Sequence, residues 1–318
     1  MPETQSAPRL SVVICTYNRG PILEKCLRAL TDQSLPGDQY EIVVVDDGST
    51  DDTPARIEAL KTAVPAWQCV WQENRGRSHA RNVGIRIARA EIVVFIDSDV
   101  VVTRDFLATH LKRHEAHAGK KVFVQGLSVN TDRFDEPLST PINATHFSAA
   151  FFATNNVSVP KAFLVEVGGF DEAFVEYGWE DLELGLRLKA IGVDIVRARE
   201  AVGYHWHPAF SLADLPGMKR TEEERGRMAA YFYRKYPTLD VRLMIQLTPF
   251  HRVLNWVVTL GGWADERRAE PLMRWLLAKD KVFLAQQVAI LMLNQYNLEE
   301  LHKALKGGGP ALERGASA

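Results

Sequence analysis

Asp97-Ser98-Asp99 follows directly on Ile92-Val93-Val94-Phe95-Ile96. Carboxylates this close repel one another unless a cation lies between them, and hard oxygen ligands suit Mg²⁺ or Mn²⁺. The preceding run of branched and aromatic residues reads as a strand buried on both faces, as in a parallel sheet. Asp97 and Asp99 would then stand at the carboxyl edge, where open α/β sheets bind ligands, and a divalent ion there would hold a diphosphate. By itself the triplet is also common turn chemistry, with both side chains capping nearby N–H groups.

Three further strand ends carry polar clusters: Thr16-Tyr17-Asn18-Arg19, Asp46-Asp47, and Asn74-Arg75-Gly76-Arg77. In a parallel sheet such ends converge on one edge. Any one of them is ordinary loop chemistry, but four in register are harder to read that way. Asp46 can accept the imide N–H of uracil, Tyr17 can stack on a base, and Arg75 or Arg81 can neutralise phosphate charge. Asn18, Arg19 and Asp47 complete this nucleotide-binding set. Neither G-x-G-x-x-G after the first strand nor G-x-x-x-x-G-K-[ST] occurs, which disfavours dinucleotide and P-loop binding.

The elements that must position these residues alternate through the first hundred positions. Strand patterns at 10–16, 40–45, 69–71 and 92–96 are separated by helical patterns at 21–30, 53–63 and 78–88. Thr53 and Ser78 are in place to cap the latter two. Such alternation implies right-handed βαβ units and a parallel sheet. Beyond Asp99 the rhythm breaks: helix at 105–117, strand at 121–129, then a polar, proline-bearing loop at 130–145 placed to move over the site. A short strand and a helix from Lys161 occupy 155–169, and 202–207 reads as a strand. Residues 182–188 alternate strictly, so their period alone reads as a strand.

The bulk numbers set limits. The chain has 318 residues, 46% hydrophobic and 25% charged, with net charge −2, so nucleic acid is not an expected partner. Residues 1–210 carry 22 basic and 28 acidic side chains and residues 211–318 carry 16 and 12, leaving the back mildly basic. Cys15, Cys26 and Cys69 lack metal-type spacing, and an odd count fits reduced thiols in a cytoplasmic setting. The start is polar without an apolar signal core, and no apolar stretch is long enough to span a membrane.

The combination resembles the family 2 glycosyltransferases, whose fold is called GT-A. The likeness is carried by residues 12–19, 44–51, Asn74-Arg75-Gly76 with 80–85, Asp97-Ser98-Asp99, 155–159 and Gly168-Gly169-Phe170-Asp171-Glu172. Gly178-Trp179-Glu180-Asp181-Leu182-Glu183 resembles the acceptor-side motif of animal β-1,4-galactosyltransferases. The resemblance implies an α/β fold with a mostly parallel, Rossmann-like sheet. The catalytic domain would span 1–210, with a nucleotide-binding half at 1–100 and an acceptor-binding half at 101–210, followed by a helical extension at 211–318. It makes 182–188 a helix against its period. It implies that Thr16, Tyr17, Asp46 and Arg81 hold the nucleoside and diphosphate, that Asp97 contacts ribose or metal, and that Asp99 ligates Mn²⁺ or Mg²⁺. His205 would be the late metal ligand, with His207 as the alternative. Asp181 would be the catalytic base, Glu180 would orient the acceptor, and Trp179 and Asn156 would line the acceptor side. The expected reaction is inverting, metal-dependent transfer from a nucleotide-diphosphate sugar, with UDP as carrier, to a glycan or glycolipid hydroxyl.

Residues 211–318 carry no chemically readable motif. They are mostly helical, with breaks at Pro216, Pro237, Pro249 and Pro271 and a glycine-rich tail from Gly307. Trp256, Trp263 and Trp275 in strongly apolar, net basic surroundings read either as an appendage packed on the catalytic domain or as a peripheral contact with anionic lipid. Two other functions compete, a non-catalytic nucleotide-sugar scaffold and a sugar nucleotidyltransferase. Intact Glu180-Asp181 argues against the first, and the lack of a glycine-rich basic loop after the first strand argues against the second.

Overall fold

The computed structural model describes residues 7–61, 66–143, 146, 151–259, 261 and 265–307. Two compact units are present, Met1–Val175 with Glu180–Pro208, and Glu176–Trp179 with Ala209–Ala318. In the first unit β1 (Leu10–Thr16), α1 (Gly20–Thr31), β2 (Tyr40–Asp46), α2 (Thr53–Leu60), β3 (Trp67–Trp71), α3 (Arg77–Ile87) and β4 (Ile92–Ile96) alternate as the apolar pattern predicts. Alternate residues of the inner strands face opposite layers. Val12, Ile14, Ile42 and Val44 pack with Leu23, Leu27 and Leu30 of α1 on one side. Val13, Val43 and Val45 pack with Ala80 and Ile85 of α3 on the other. Each fully buried leucine contributes about 2 kcal/mol of burial.

The eight strands form one sheet in the order β3-β2-β1-β4-β7-β6-β8-β5. β1 runs parallel to β2 and β4, and β2 parallel to β3. The chain winds outward from β1 to β3 and returns to the other side of β1 with β4, so the switch point lies between β1 and β4. The rest of the unit comprises β5 (Val100–Val102), α4 (Phe106–Ala116), β6 (Val122–Thr131), β7 (Asn156–Pro160), α5 (Lys161–Glu166), α6 (Glu180–Ala190) and β8 (Asp194–Trp206). β7 is antiparallel to β4 and β6, β8 is parallel to β6, and β5 is antiparallel to β8.

α6 is a helix, as the resemblance implies against the strand-like period, because Leu184 and Leu188, one turn apart, are buried together while Leu182 and Leu186 are only half-buried. Other local expectations are corrected. Thr53 is the first residue of α2 rather than its cap, and its N–H donates to Asp51. Gly76, at φ +84°, precedes α3, and Ser78 Oγ is buried inside the helix without a partner. β8 begins well before residue 202. The loop after β6 contains a 3-10 turn at Pro137–Ser139, with Arg133 donating to Ser139 and Thr131 bonded to Thr140. Residues 62–63 of the expected second helix, 144–145 of that loop, Trp263 and the tail beyond 307 lie outside the described residues.

Asn156 is a correction of another kind. Expected on the acceptor side, it is fully buried at the start of β7. Its Nδ2 donates to Leu127 O and Ala201 O at 2.9 Å each, and its Oδ1 lies 3.0 Å from His110 Nε2. These bonds satisfy the strand interruption where the β6–β8 register shifts at Gly126/Leu127. Its polar atoms are thereby used within the protein. A Cβ on Gly126 would stand 2.1 Å from Asn156 Oδ1. Gly126→Ala is therefore expected to destabilise the protein by about 1–3 kcal/mol, measured by urea unfolding.

The second unit is helical: α7 (Leu215–Lys235), α8 (Leu239–Met244), α9 (Pro249–Val258), α10 (Glu266–Ala278) and α11 (Val282–Lys306). Pro216 and Pro249 lie in first turns, where the missing N–H has no intrahelical partner to lose. Pro271 falls within a helix instead of ending it. Ala269 and Met273 of α10 pack against Ala285, Ala289 and Met292 of α11. Among the described residues no helix is long and apolar enough to cross a membrane.

Candidate active site

β5 is the element that assembles the site. Its antiparallel pairing sets Val100 opposite His205, and Trp206 N donates to Asp99 O at 2.8 Å. The end of β8 is thereby laid against the turn that follows β4. His205 Nε2 lies 3.0 Å from Asp99 Oδ1. Ligand atoms of Asp97, Asp99 and His205 fall within 4.8 Å of one another. Asp99 Oδ1 is buried and accepts no aligned hydrogen bond, while Oδ2 pairs with Arg19. Two carboxylates and an imidazole with ligand atoms this close are the donor set of a hard or borderline divalent cation. His205, not His207, joins the carboxylates, although the two rings are 4.1 Å apart.

Burial opposes charge on both Asp99 and His205, but each outweighs that for the other. Asp99 is held below the usual carboxylate range by His205 and Arg19, and His205 is raised above the usual imidazole range by Asp99. His207, by burial and by the neighbouring His205, is pushed down to about 4.

Arg81 links this group to the start of α6. Its Nη2 is 3.2 Å from Asp97 Oδ1, and its Nη1 donates to Glu180 Oε1 at 2.9 Å. Burial disfavours the guanidinium charge, yet Glu180 and Asp97 more than compensate, so Arg81 stays protonated. Glu180 is likewise buried but held below its ordinary range by Arg81 and Arg77, and its Oε2 has no partner. Asp181 behaves in the opposite way. Burial and the adjacent Glu180 charge raise it to about 6, whereas the sequence suggests an unperturbed carboxylate kept ionised by the helix start. Leu182 N donates to its Oδ1 at 2.8 Å.

On the β1–β2 side, Thr16 and Asp46 are register partners. Thr16 Oγ1 is buried without a partner, and Asp46 Oδ1 accepts from Ser49 N. Tyr17 is 48% exposed at the end of β1. Asn18, at φ +52°, uses Oδ1 to accept from Thr50 N and Asp51 N, which ties the two loops together. Asp47 accepts from Gln72, Arg75 N and Gly76 N, so its carboxylate shapes the loop before α3, and the Arg75 side chain is exposed. Arg19 N donates to Thr53 Oγ1.

Trp179 belongs to the second unit, where its Nε1 donates to Arg225 O at 2.8 Å and its ring stands near the Arg225 guanidinium and Phe232. Gly178 and Trp179 both have left-handed backbone, φ +102° and +76°, which turns the chain sharply into α6. The Arg81–Glu180 bridge and the role of Arg77 were not readable as partnerships. Arg77 stood in a noted cluster, but nothing local signals a contact with Glu180. Glu183 is another unread partner, buried and paired with Arg187, whose Nη1 donates to Gly169 O. This clamp fixes α6 against the glycine turn at 168–169.

Comparison with known proteins identifies the family and the fold. The model of the glycosyl transferase family 2 matches residues 11–170, and the N-terminal domain of galactosyltransferase matches residues 140–208. Validoxylamine A glucosyltransferase of Streptomyces hygroscopicus subsp. limoneus is 33% identical over 310 residues, spanning 85% of this chain and 67% of that protein. The uncharacterized glycosyltransferase YfnE of Bacillus subtilis is 27% identical over 295 residues, spanning 74% and 73%. The mannosyltransferase PcManGT from Pyrobaculum calidifontis, solved with GDP-Man and Mn²⁺, shares the fold at a TM-score of 0.60 and 23% identity, covering 94% of this chain and 87% of that one. S. aureus TarS 1–349 with UDP shares it at 0.51 and 16%, covering 94% and 90%. The family 2 model spans half of the chain, and the chain is a glycosyltransferase of family 2 with a GT-A fold.

Proposed function

We propose that the protein moves a sugar from a nucleotide-diphosphate sugar to an acceptor hydroxyl with inversion at the anomeric carbon. One observation carries this reading: Arg81 bridges Asp97, of the Asp97, Asp99 and His205 group, to Glu180, the neighbour of Asp181 at the start of α6. On this reading Arg81 links the leaving-group side of the reaction to the acceptor side.

Asp99 and His205, with Asp97, would hold a divalent cation that offsets the charge developing on the departing diphosphate. Imidazole beside carboxylate favours Mn²⁺, with Mg²⁺ also compatible. Asp181 takes the proton of the acceptor hydroxyl as that oxygen bonds to the anomeric carbon from the face opposite the diphosphate. The bond from carbon to phosphate oxygen breaks, and its electron pair leaves on the nucleoside diphosphate. Glu180, kept ionised by Arg81, offers the unpartnered Oε2 to orient the acceptor. Thr16, Tyr17 and Asp46 receive the nucleoside. Asp46 suits the imide N–H of uracil, and guanosine or thymidine carriers can make similar contacts. The acceptor is a glycan or a lipid-linked glycan, as in polysaccharide assembly, with Trp179 as its sugar platform.

Asp181 must be ionised to accept a proton, and its folded pKa is raised, so transfer fails on the acid side. Measured kcat is expected to fall about tenfold per pH unit below about 6 and to level off above it. A profile flat down to pH 5 contradicts the base assignment. Nucleotide binding is tested by thermal shift: UDP with Mn²⁺ raises Tm by several degrees and UDP alone raises it little, since ligand at a hundredfold over Kd contributes about 2.7 kcal/mol. No nucleoside diphosphate raising Tm with either metal would overturn the donor assignment.

A further inference from the structure

Helix α9 presents its apolar face outward. Its N-cap Thr248, Arg252, Asn255 and the following Thr259 recur at helical spacing on one face. Thr248 and Thr259 are buried, and Asn255 Oδ1 accepts from Asn294 of α11. The rest of the helix carries Phe250, Val253, Leu254, Trp256, Val257 and Val258, all between 42% and 68% exposed. No residue of α9 itself is buried. A helix packed on a soluble domain normally turns its apolar face inward, so this face is arranged for a medium other than water. On α11, Ile290 and Leu291 are also exposed, one helical turn before Asn294, which bonds Asn255 of α9.

Charge beside this surface identifies the medium. Between the polar face of α9 and the end of α11 opens a cavity of about 440 Å³. Arg252, His302, Lys306 and Lys303 line it with the carboxylate of Glu299, and Lys303 also pairs with Glu300 at 2.7 Å. Apolar side chains next to a basic cavity match an anionic amphiphile, and an exposed tryptophan suits the boundary between headgroups and acyl chains. A second copy fits less well, because an isologous pair would bring two basic cavities together.

We propose that α9 and the adjoining part of α11 form a peripheral membrane surface. The apolar face of α9 enters the acyl boundary, and the phosphate of an anionic lipid headgroup occupies the basic cavity. This surface does not depend on which sugar is transferred.

Flotation of the full chain with two vesicle types tests it, phosphatidylcholine alone and phosphatidylcholine with phosphatidylglycerol. The expected result is salt-sensitive flotation with the anionic vesicles, at least tenfold above the neutral ones. Val257→Glu and Arg252→Glu each reduce that flotation at least tenfold, while UDP binding stays unchanged because neither residue belongs to the catalytic machinery. Circular dichroism confirms that both variants remain folded. Failure of the wild type to float, equal flotation with both vesicles, or normal flotation of Val257→Glu would overturn the proposal. Light scattering that shows a dimer dispersed by Val257→Glu, without vesicle binding, would assign the face to a second copy instead.

Discussion

Asp181→Asn is expected to lower kcat by about 10²–10⁴-fold while nucleotide binding survives. Asparagine keeps the shape of the side chain and an oxygen for the Leu182 N–H, which donates to Asp181 Oδ1 at 2.8 Å. Only the capacity to take a proton is lost. The neighbouring Glu180 cannot replace it, because Arg81 and Arg77 hold that carboxylate ionised and buried. Transfer rates and UDP affinity measured on the same preparation decide the matter. Unchanged turnover removes Asp181 as the base. A parallel loss of UDP binding would make it a structural residue of the bridge instead.

Asp99→Ala is expected to weaken Mn²⁺ binding by at least about 100-fold and the donor with it, since even indirect partners of metal ligands are worth 10–100-fold. Asp99 is the residue on which the Arg19 and His205 contacts converge, Arg19 on Oδ2 and His205 on the buried Oδ1. His205→Ala should act in the same direction. His207→Ala should leave metal affinity within a few-fold, because its imidazole stands outside the ligand group. Isothermal titration with Mn²⁺, alone and with UDP, separates the three variants. A stronger effect from His207 than from His205 would reassign the late ligand.

What could be read from the sequence was local. The strand ending at Ile96 announces itself by its unbroken apolar run, and the two carboxylates after it by their place at the sheet edge. Pairing across the chain could not be read in this way. Glu180 and Arg81 appear as separate functional residues in the sequence, yet the fold joins them in one buried ion pair. Asn156 shares a block with functional neighbours, but its surroundings are set by a register shift at Gly126, and register is a property of two strands. The leucines at 182, 184, 186 and 188 mimic a strand because α6 is wetted on no clean stripe, with two of them buried and two half-buried. The orientation of α9 was equally hidden. Its aromatic and branched residues look like core until the structure leaves them exposed.

The raised Asp181 has the same origin. A carboxylate at a helix start is normally kept ionised by the helix dipole. Here burial and the charge of Glu180 prevail and bring the group to about 6. That value is within reach of neutral pH, which suits a base that must accept a proton during transfer.

The central claim is that side chains far apart in sequence share one cation at the edge of the sheet. Anomalous diffraction at the manganese edge, on crystals grown with Mn²⁺ and UDP, tests it directly. One strong peak is expected at coordination distance, about 2–2.3 Å, from both the Asp99 carboxylate and His205 Nε2. A nucleotide bound with its manganese elsewhere, or with none between those two side chains, would contradict it.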